Sequence, residues 1–485
     1  MQPRVLAASC LAALGLACPH SLLAHGAGPT EVDPKAVRYE VLRVESRNES
    51  VIRALALEHG HLIVDRDKGV VMFDAPAGSR TGLLAKGLRV SVDPVLSEAL
   101  NASQAILRAK GISGYACYRT VAETHARLDS LVVAHPQLAQ VVDIGPSWEA
   151  QAGIVGGGER MRVLKLSNSQ IPGPKPALFA MTAVHAREYT TAELGLRFAE
   201  HLLAGHGADA DATWLLDHHE IHLLVQSNPD GRKRAETGLS WRKNANQGYC
   251  GATSNARGAD LNRNFPFSWG TVAGGSSGVA CENTYRGPTA ASEPETQAIV
   301  SYVRGLFPDR RGDALSDPAP EDTQGLFLDI HSYSQLVLWP WGTTTQPAPN
   351  SASLVALGRR FAWFNSYTPQ QSVGLYPTDG TTDDFAYGEL GVPAFTFELG
   401  TAFFQDCGSF ENRIYPDNLQ ALLYAAKVVR EPYRLPFGPE AREVRVQPDL
   451  AAPGEPLQLV AVLDDSRSSV VNGSVPVQAI AAAHA

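Results

Sequence analysis

A histidine and a glutamate three residues apart follow a nearly all-apolar segment. His185 and Glu188 belong to the motif His185-Ala-Arg-Glu188, which comes directly after Ala177–Val184. Catalytic zinc usually takes three protein ligands from His, Asp and Glu, and leaves one position for water. If the apolar segment is a buried strand, both side chains lie near its carboxyl end, where open α/β sheets place their sites. The spacing alone is weak evidence, because a capping glutamate beside a surface histidine gives the same pattern.

Two further apolar segments lead into residues of the same chemical types. Leu326–Ile330 is followed by His331, and Ala394–Phe397 is followed by Glu398. Taken singly, the first could be a hydrogen-bonded structural histidine and the second a salt-bridge partner. A carboxylate after Phe-Thr-Phe is costly to bury without a partner. Three such strand ends are hard to explain by chance, so His331 is a candidate third ligand.

The elements that would position these residues begin at Tyr115, where apolar segments alternate with helix-like ones. Apolar strands that alternate with helices imply a central sheet covered on both faces. The buried-strand candidates are Ala177–Val184, Ile221–Gln226, Leu326–Ile330, Leu336–Trp339 and Ala394–Leu399.

The regions on either side of this alternating pattern differ from it. Residues 35–95 predict a small α+β domain with the order β-α-β-β-α-β, a split-βαβ arrangement. Residues 96–114 are interpreted as a connector. The last segment, 436–485, is a C-terminal extension rich in Val and Ala. It could begin a β-module but is too short for a full sandwich, which takes about 100 residues.

The first 26 residues predict an export signal. One arginine, Arg4, precedes the apolar segment Val5–Cys18, and Ala24-His25-Gly26 has small residues at alternate positions, as a signal peptidase requires. A buried core helix is the alternative, and the terminal position disfavours it. A lipoprotein with Cys18 as the acylated residue is also disfavoured, because the surrounding residues fit such a site poorly. We therefore expect a secreted or periplasmic protein.

Four cysteines remain after the predicted signal. An even number in an oxidising compartment makes two disulfides plausible. Cys250 and Cys281 flank a Gly/Ser-rich loop and form the first expected pair, which leaves Cys117 and Cys407 as the second. Free buried thiols are the alternative, and they are less common outside the cytoplasm.

Composition excludes two classes of partner. The 485 residues carry 41 basic and 50 acidic side chains, a net charge of −9, without a Lys/Arg cluster of the kind that binds nucleic acid. After the N-terminus, no apolar run approaches the length that crosses a bilayer. We expect no nucleic-acid partner, and no membrane association once the signal is removed.

Between Tyr115 and Tyr433, eight motifs occur in a characteristic order. They are His185-Ala-Arg-Glu188, Asn228-Pro-Asp-Gly231, Trp241-Arg-Lys243, Asp260-Leu-Asn-Arg-Asn264, Glu282-Asn-Thr-Tyr-Arg-Gly287, His331-Ser-Tyr-Ser-Gln335, Tyr376 with Gly380-Thr-Thr-Asp-Asp384, and Phe395-Thr-Phe-Glu398. This set resembles the zinc carboxypeptidases of the pancreatic A/B type. The resemblance implies an α/β, carboxypeptidase-like fold over residues 115–435, with a central mixed, mostly parallel sheet flanked by helices. It also implies that residues 35–95 are similar to the family's activation domain.

The resemblance assigns catalytic roles residue by residue. The implied ligands of one Zn²⁺ are His185, Glu188 and His331. Zinc lowers the pKa of its water and polarises the scissile carbonyl. Glu398 would be the general base on that water, and Arg242 would stabilise the oxyanion. Asp260 would hydrogen-bond a zinc-binding histidine.

The same resemblance assigns the substrate contacts. Asn262, Arg263 and Tyr376 would hold the terminal carboxylate, for which the planar fork of an arginine is well suited. Arg187 and Tyr333 would contact the substrate on the other side of the scissile bond. A clamp of this kind favours a peptide with a free α-carboxylate, and therefore exopeptidase action.

Asp383 bears on which side chain is removed. In the family, an acidic residue at the matching position accompanies a preference for C-terminal Lys or Arg. A buried carboxylate would pair with a substrate cation and stay unpaired with Phe, a penalty of about a few kcal/mol. Mixed specificity stays open, because Asp379, Asp384 and Gln371 lie in the same region.

Three functions remain to be compared. The favoured one is a secreted, zinc-dependent carboxypeptidase made as a precursor, with peptide or protein C-termini as substrates and an activating protease as a further partner. The second is a hydrolase of γ-glutamyl-diamino acid bonds in cell-wall peptides, which Asn262, Arg263 and Tyr376 disfavour. The third is an inactive peptide-binding protein, which the complete set of ligands and base disfavours.

Overall fold

The computed structural model describes residues 39–60, 62–94, 96–97, 111–448, 454–456 and 458–482. The predicted signal, residues 1–26, and most of the predicted connector lie outside the described residues. In the part of the chain that the structure describes, no helix has both the length and the apolar character needed to cross a membrane.

An eight-stranded sheet forms the centre of the molecule. Its strands are β5 (Ala139–Pro146), β6 (Arg160–Leu166), β7 (Ala177–Thr182), β8 (Glu220–Leu224), β9 (Leu326–Ser332), β10 (Leu336–Trp339), β11 (Thr368–Gln371) and β12 (Ala394–Leu399). Their order is β11-β10-β12-β9-β7-β8-β6-β5. Four of the seven neighbouring pairs are parallel: β7 with β8, β7 with β9, β9 with β12, and β10 with β11. The mixed sheet confirms the predicted fold class.

Helices flank this sheet. The α-helices of the chain after residue 111 are Val121–Ala134, Trp148–Gln151, Tyr189–Gly205, Ala210–His218, Pro229–Ala235, Pro294–Leu306, Ser351–Asn365, Thr382–Leu390, Cys407–Ser409 and Tyr415–Val428. The strands β7, β9 and β12 are buried along their whole length, which explains why their sequences are almost continuously apolar. Polar residues at the ends of these strands therefore stand out from their surroundings.

A separate four-stranded antiparallel sheet forms the N-terminal unit, residues 39–93. Its strands are β1 (Tyr39–Glu45), β2 (Ile63–Asp65), β3 (Val70–Pro76) and β4 (Arg89–Asp93), in the order β2-β3-β1-β4, with helices Glu49–His59 and Ser79–Ala85. Asn48 caps the first helix by accepting a hydrogen bond from the Ser50 N–H, and the helix ends at Gly60, which has a φ of 80°. A left-handed residue at this position favours glycine.

The N-terminal unit packs against one edge region of the large sheet. Its apolar core, which includes Leu42 and Phe73, continues into Leu338 of β10 and into Leu375 and Tyr376. Because these last residues belong to the region of the predicted substrate pocket, the two sheets share one apolar cluster next to the candidate site.

Two disulfides and one buried arginine hold distant segments of the chain together. The disulfides are Cys117–Cys407 and Cys250–Cys281, the two predicted pairs. After residue 436, β13 (Glu440–Gln447) and β14 (Gln458–Asp464) form an antiparallel hairpin. Arg360 donates to the carbonyls of Pro436 and Gly438 and pairs with Asp465 at 2.8 Å, so the segment that carries the hairpin is held against helix Ser351–Asn365.

Candidate active site

Three potential metal ligands meet at the carboxyl ends of two neighbouring parallel strands. His185 and Glu188 lie in the turn between β7 and helix Tyr189–Gly205, and His331 lies in β9. The Nδ1 atom of His185 is 2.8 Å from Glu188 Oε1 and 3.0 Å from His331 Nδ1. His331 Nδ1 is also 3.2 Å from Glu188 Oε2. All three residues are buried, and their donor atoms lie close enough to share one ion.

The donor set and its surroundings fit zinc. The outer nitrogens of the two rings face carboxylates: His185 Nε2 is 3.0 Å from Asp260 Oδ1, and His331 Nε2 is 2.8 Å from Asp329 Oδ2. With the protons on these outer nitrogens, both Nδ1 atoms present lone pairs to each other and to Glu188. A metal ion between them would be bound by all three acceptors, and zinc binds imidazole nitrogen and carboxylate oxygen at about 2.0–2.2 Å.

The charges in this cluster also favour a cation. Burial opposes ionisation of Glu188, but the imidazoles of His185 and His331 outweigh it and lower the pKa of this carboxyl group. Burial likewise opposes protonation of His331, but Asp329 and Glu188 outweigh it and raise the pKa of the ring. Both shifts show that the carboxylates around the two rings favour positive charge at this position, which a divalent ion would supply.

Glu398 faces the metal cluster from the neighbouring strand. The parallel register of β12 and β9 places Glu398 directly opposite His331. Both residues lie within their strands, because the ladder continues to Leu399 and Ser332. The predicted strand Ala394–Leu399 already contained Glu398, whereas the predicted strand Leu326–Ile330 ended just before His331. Glu398 Oε2 is buried and has no hydrogen-bond partner among the described residues. Burial raises the pKa of Glu398 to about 8.

Asp260 fixes both a histidine and an arginine of the site. Its Oδ1 faces His185, and its Oδ2 accepts hydrogen bonds from Arg242 Nη2 at 2.8 Å and Nε at 3.1 Å. Burial opposes ionisation of Asp260, but Arg242 and His185 outweigh it and hold the pKa of this carboxyl well below its usual range. The guanidinium of Arg242 is thereby held with its Nη1 3.3 Å from His185 Nδ1, at the edge of the cluster.

One cavity joins the metal cluster to most of the predicted substrate residues. The residues that the sequence predicted for the site and that line this cavity are His185, His331, Glu398, Arg242, Asn262, Arg263, Tyr376 and Asp383. Arg263 donates to the carbonyl of Gly275 from Nε at 3.1 Å and to the carbonyl of Asn262 from Nη1 at 2.6 Å. These bonds orient the buried guanidinium of Arg263 beside Asn262 in the wall of the cavity.

Asp383 is a buried acid without a cationic partner. It is 4% exposed, and it takes part in no ion pair among the described residues. Its Oδ2 is 2.9 Å from Ser372 Oγ, and its Oδ1 accepts a hydrogen bond from the Asp384 N–H. The adjacent Asp384 is directed elsewhere, because it accepts hydrogen bonds from the Gly342 N–H. Of the two acids, Asp383 is the one that lines the cavity.

Arg187 and Tyr333 lie outside the cavity lining, around Phe403. The Arg187 guanidinium lies 3.9 Å from the centre of the Phe403 ring, and Tyr333 packs edge-on against the same ring. Arg187 Nη2 donates to the carbonyl of His59 at 3.3 Å, so this arginine contacts the N-terminal unit. The structure therefore does not bring these two predicted substrate contacts into the same cavity as the others.

Two residues that the sequence did not single out belong to the site. Asp329 faces His331, and Thr382 donates a hydrogen bond to Asp329. A signal for Asp329 exists in the sequence, because an acid two residues before His331 lies on the same face of a strand. Thr382 gave no such signal, since its contact with Asp329 spans 53 residues.

Comparisons with known proteins agree with this geometry. A family model described as zinc carboxypeptidase matches residues 124–415. The chain is 31% identical to carboxypeptidase A1 of Bos taurus over 391 residues, which cover 75% of this chain and 86% of the bovine one. It is also 31% identical to zinc carboxypeptidase A 1 of Anopheles gambiae over 304 residues, 60% of this chain and 62% of the mosquito one.

Solved structures of the same kind share the fold. The carboxypeptidase A of Helicoverpa armigera superposes with a TM-score of 0.65 at 22% identity, covering 82% of this chain and 98% of the other. Thrombin-activatable fibrinolysis inhibitor superposes with a TM-score of 0.62 at 21% identity, covering 81% of this chain and 99% of the other.

Zinc content tests the ligand set. We expect one zinc per purified chain, and loss of stoichiometric zinc in His185→Ala, Glu188→Ala and His331→Ala, because each variant removes one of three donor atoms. His222→Ala is the matched control, since His222 is also buried but is hydrogen-bonded to Tyr302 and Glu220 away from the cluster. Elemental analysis after dialysis gives the readout. Full zinc content in any of the three variants would contradict the assignment of that ligand.

Proposed function

The chain belongs to the zinc carboxypeptidase family and is a metallocarboxypeptidase with one zinc ion as cofactor, and we propose that it is exported and releases C-terminal residues, Lys and Arg in preference, from peptides and proteins. The observation that carries this proposal is one cavity lined by the metal ligands His185 and His331, by Glu398 with its unpartnered oxygen, and by the buried Asp383. Export is supported by the predicted signal and by the two disulfides, which fit an oxidising compartment.

The chemistry of hydrolysis divides between the cofactor and the residues around it. When bound, zinc supplies a Lewis acid that lowers the pKa of water and polarises the scissile carbonyl. Glu398 takes a proton from the attacking water and later delivers it to the leaving amine. Its free oxygen suits this role because no hydrogen bond must be broken first. Arg242, held by Asp260, stabilises the negative charge that develops on the carbonyl oxygen.

Recognition of the chain terminus falls to the opposite part of the cavity. Asn262, Arg263 and Tyr376 bind the α-carboxylate, with the arginine fork as the charged partner. The departing side chain then enters the part of the cavity that Asp383 lines, where a Lys or Arg side chain forms the ion pair that this acid lacks in the described structure. Arg187 and Tyr333 contact the substrate on the other side of the scissile bond.

The N-terminal unit keeps this site closed until a protease removes it. The helix Glu49–His59 ends at the cavity: the carbonyl of His59 accepts from Arg187, and the carbonyl of Gly60 lies 3.5 Å from Tyr376 Oη. Asn283 Nδ2 and Thr284 Oγ1 donate to the carbonyls of the preceding turn. Backbone carbonyls of the helix end thus contact groups proposed to bind substrate, so a substrate and the N-terminal unit compete for them.

The direct test is hydrolysis of hippuryl-Arg and hippuryl-Phe by the full chain before and after limited proteolysis. We expect activity after proteolysis, faster cleavage of hippuryl-Arg, and loss of both activities with a zinc chelator. Readdition of zinc should restore them. Absence of chelator-sensitive release from both substrates after proteolysis would refute the proposed function.

The general base predicts the acidic limb of the pH profile. Glu398 acts only when ionised, so kcat/KM falls as the pH falls through the pKa of this residue. Burial raises that pKa to about 8 from the ordinary 4.5, and a nearby cation lowers it again, so we expect the limb between these two values. Glu398→Gln should lose about 10²- to 10⁴-fold in kcat while retaining zinc. Wild-type kcat in this variant would exclude Glu398 as the base.

The acid in the pocket predicts a change of specificity. Asp383→Asn removes the charge but keeps the size of the side chain. The transition state for hippuryl-Arg should therefore lose about 1–3 kcal/mol of stabilisation, so that kcat/KM falls roughly 5- to 150-fold. Hippuryl-Phe should be cleaved as well as before or better, because an apolar side chain no longer leaves a charge unpaired. An equal loss for both substrates would instead indicate a structural role for Asp383.

A pair of glycine variants tests the closed state. Gly60 and Gly87 both have φ near 80°, but a Cβ on Gly60 would lie 3.1 Å from Arg242, whereas a Cβ on Gly87 meets nothing within 4 Å. Backbone strain is common to both substitutions, so their difference isolates the contact with the site. We expect Gly60→Ala to raise the activity of the full chain above that of wild type, and Gly87→Ala to leave it unchanged. Equal activities of the three full chains would contradict closure by this helix end.

A further inference from the structure

Asp329 is a fully buried acid whose two hydrogen bonds fall on one oxygen. It lies in β9 two residues before His331, so the two side chains share one face of the strand. Its Oδ2 accepts from His331 Nε2 at 2.8 Å and from Thr382 Oγ1 at 2.6 Å. Its Oδ1 is buried without a hydrogen-bond partner among the described residues. The position of this carboxylate is therefore set by one histidine and one threonine.

Thr382 is held by a second group that also touches His331. It is the first residue of helix Thr382–Leu390, and its N–H donates to Asn262 Oδ1 at 2.9 Å. The other end of that amide, Nδ2, lies 3.2 Å from His331 Nε2. With its proton directed at Asp329, His331 Nε2 accepts no hydrogen bond from this amide, so Thr382 is connected to the outer nitrogen of His331 through Asp329, while Asn262 fixes the backbone of Thr382.

This arrangement determines how His331 presents itself to a metal. A carboxylate at Nε2 holds the proton on that nitrogen, fixes the ring orientation and makes the Nδ1 lone pair a stronger donor. The carboxylate can do so only if its own position is fixed, and among the described residues Thr382 supplies the second bond to the same oxygen. Thr382 is followed by Asp383, so the segment that lines the pocket is attached to the metal centre through Asp329.

We propose that Asp329 is a positioning residue of the metal centre and that Thr382 holds it in place. A change at Thr382 then alters zinc affinity although Thr382 is not a ligand. The proposal rests on the proposed function only in taking His185, Glu188 and His331 as the zinc site. It does not depend on which peptides the protein cleaves.

The test uses zinc affinity of the full chain, measured by competition with a chromogenic chelator. Asp329→Asn should weaken zinc binding by about 10- to 100-fold, the usual effect of losing an outer hydrogen-bond partner. Thr382→Val, which removes the hydroxyl but keeps the shape, should weaken zinc binding less, and Thr382→Ser should restore it. Thr381→Val is the matched control, because the neighbouring hydroxyl of Thr381 is buried with no partner among the described residues. Its zinc affinity should equal that of wild type.

Two further readouts separate positioning from general destabilisation. The visible absorption spectrum of the cobalt-substituted protein reports the ligand field directly, so we expect Asp329→Asn to shift its bands and Thr381→Val to leave them unchanged. In a double-mutant cycle, Asp329→Asn with Thr382→Val should lose less zinc affinity than the two single losses combined, because both substitutions remove the same connection. Circular dichroism confirms folding of each variant. If Asp329→Asn does not fold, Thr382→Val against Thr381→Val decides the question.

The outcomes distinguish this inference from the proposed function. The inference would be overturned if Asp329→Asn and Thr382→Val bound zinc as tightly as wild type. Equal losses of zinc affinity in Thr382→Val and Thr381→Val would also overturn it. The proposed peptidase function would stand in either case. A wild-type chain that binds zinc but cleaves no peptide would overturn the proposed function, and the zinc affinities would still decide the role of Asp329.

Discussion

Two imidazole nitrogens and a carboxylate, all of which can act as acceptors, lie in direct contact in the interior of this protein. His185 Nδ1 and His331 Nδ1 are 3.0 Å apart, and Glu188 lies within 3.2 Å of both. Without a cation, this contact would bury mutually repelling lone pairs and an excess of negative charge. The rest of the site can be understood as what keeps these groups in place and directs their lone pairs inward.

Two buried acids, Asp260 and Asp329, keep the metal-binding histidines in place. Asp260 holds His185 and Arg242 with its two oxygens, and Asp329 holds His331 and Thr382 with one of its own. Each acid therefore joins a metal ligand to a residue of another segment. Both acids are fully buried, and these hydrogen bonds offset part of the cost of burying a carboxylate. The metal ligands, Arg242 and the segment that lines the cavity are consequently parts of one hydrogen-bonded network.

The central sheet explains why these segments converge. The parallel strands β7, β9 and β12 are neighbours, so their carboxyl ends lie at one edge although the chain between β7 and β9 is long. The N-terminal unit packs over the same edge region, and the end of its first helix contacts Arg187 and Tyr376. A single edge of the sheet thus carries the metal cluster, the cavity beside it and the contact with the N-terminal unit.

Much of this protein could be predicted from its sequence. The continuous apolar strands and the order β-α-β-β-α-β of the N-terminal unit follow from local patterns of residues. The metal ligands His185, Glu188 and His331 follow from motifs that occur in a specific order along the chain. Register and packing decided the rest. Only the pairing of β12 with β9 places Glu398 opposite His331, and only the fold brings Thr382 to Asp329 or Gly60 to Arg242. Such contacts join residues far apart in the chain, and their geometry depends on the whole sheet rather than on any local pattern of residues.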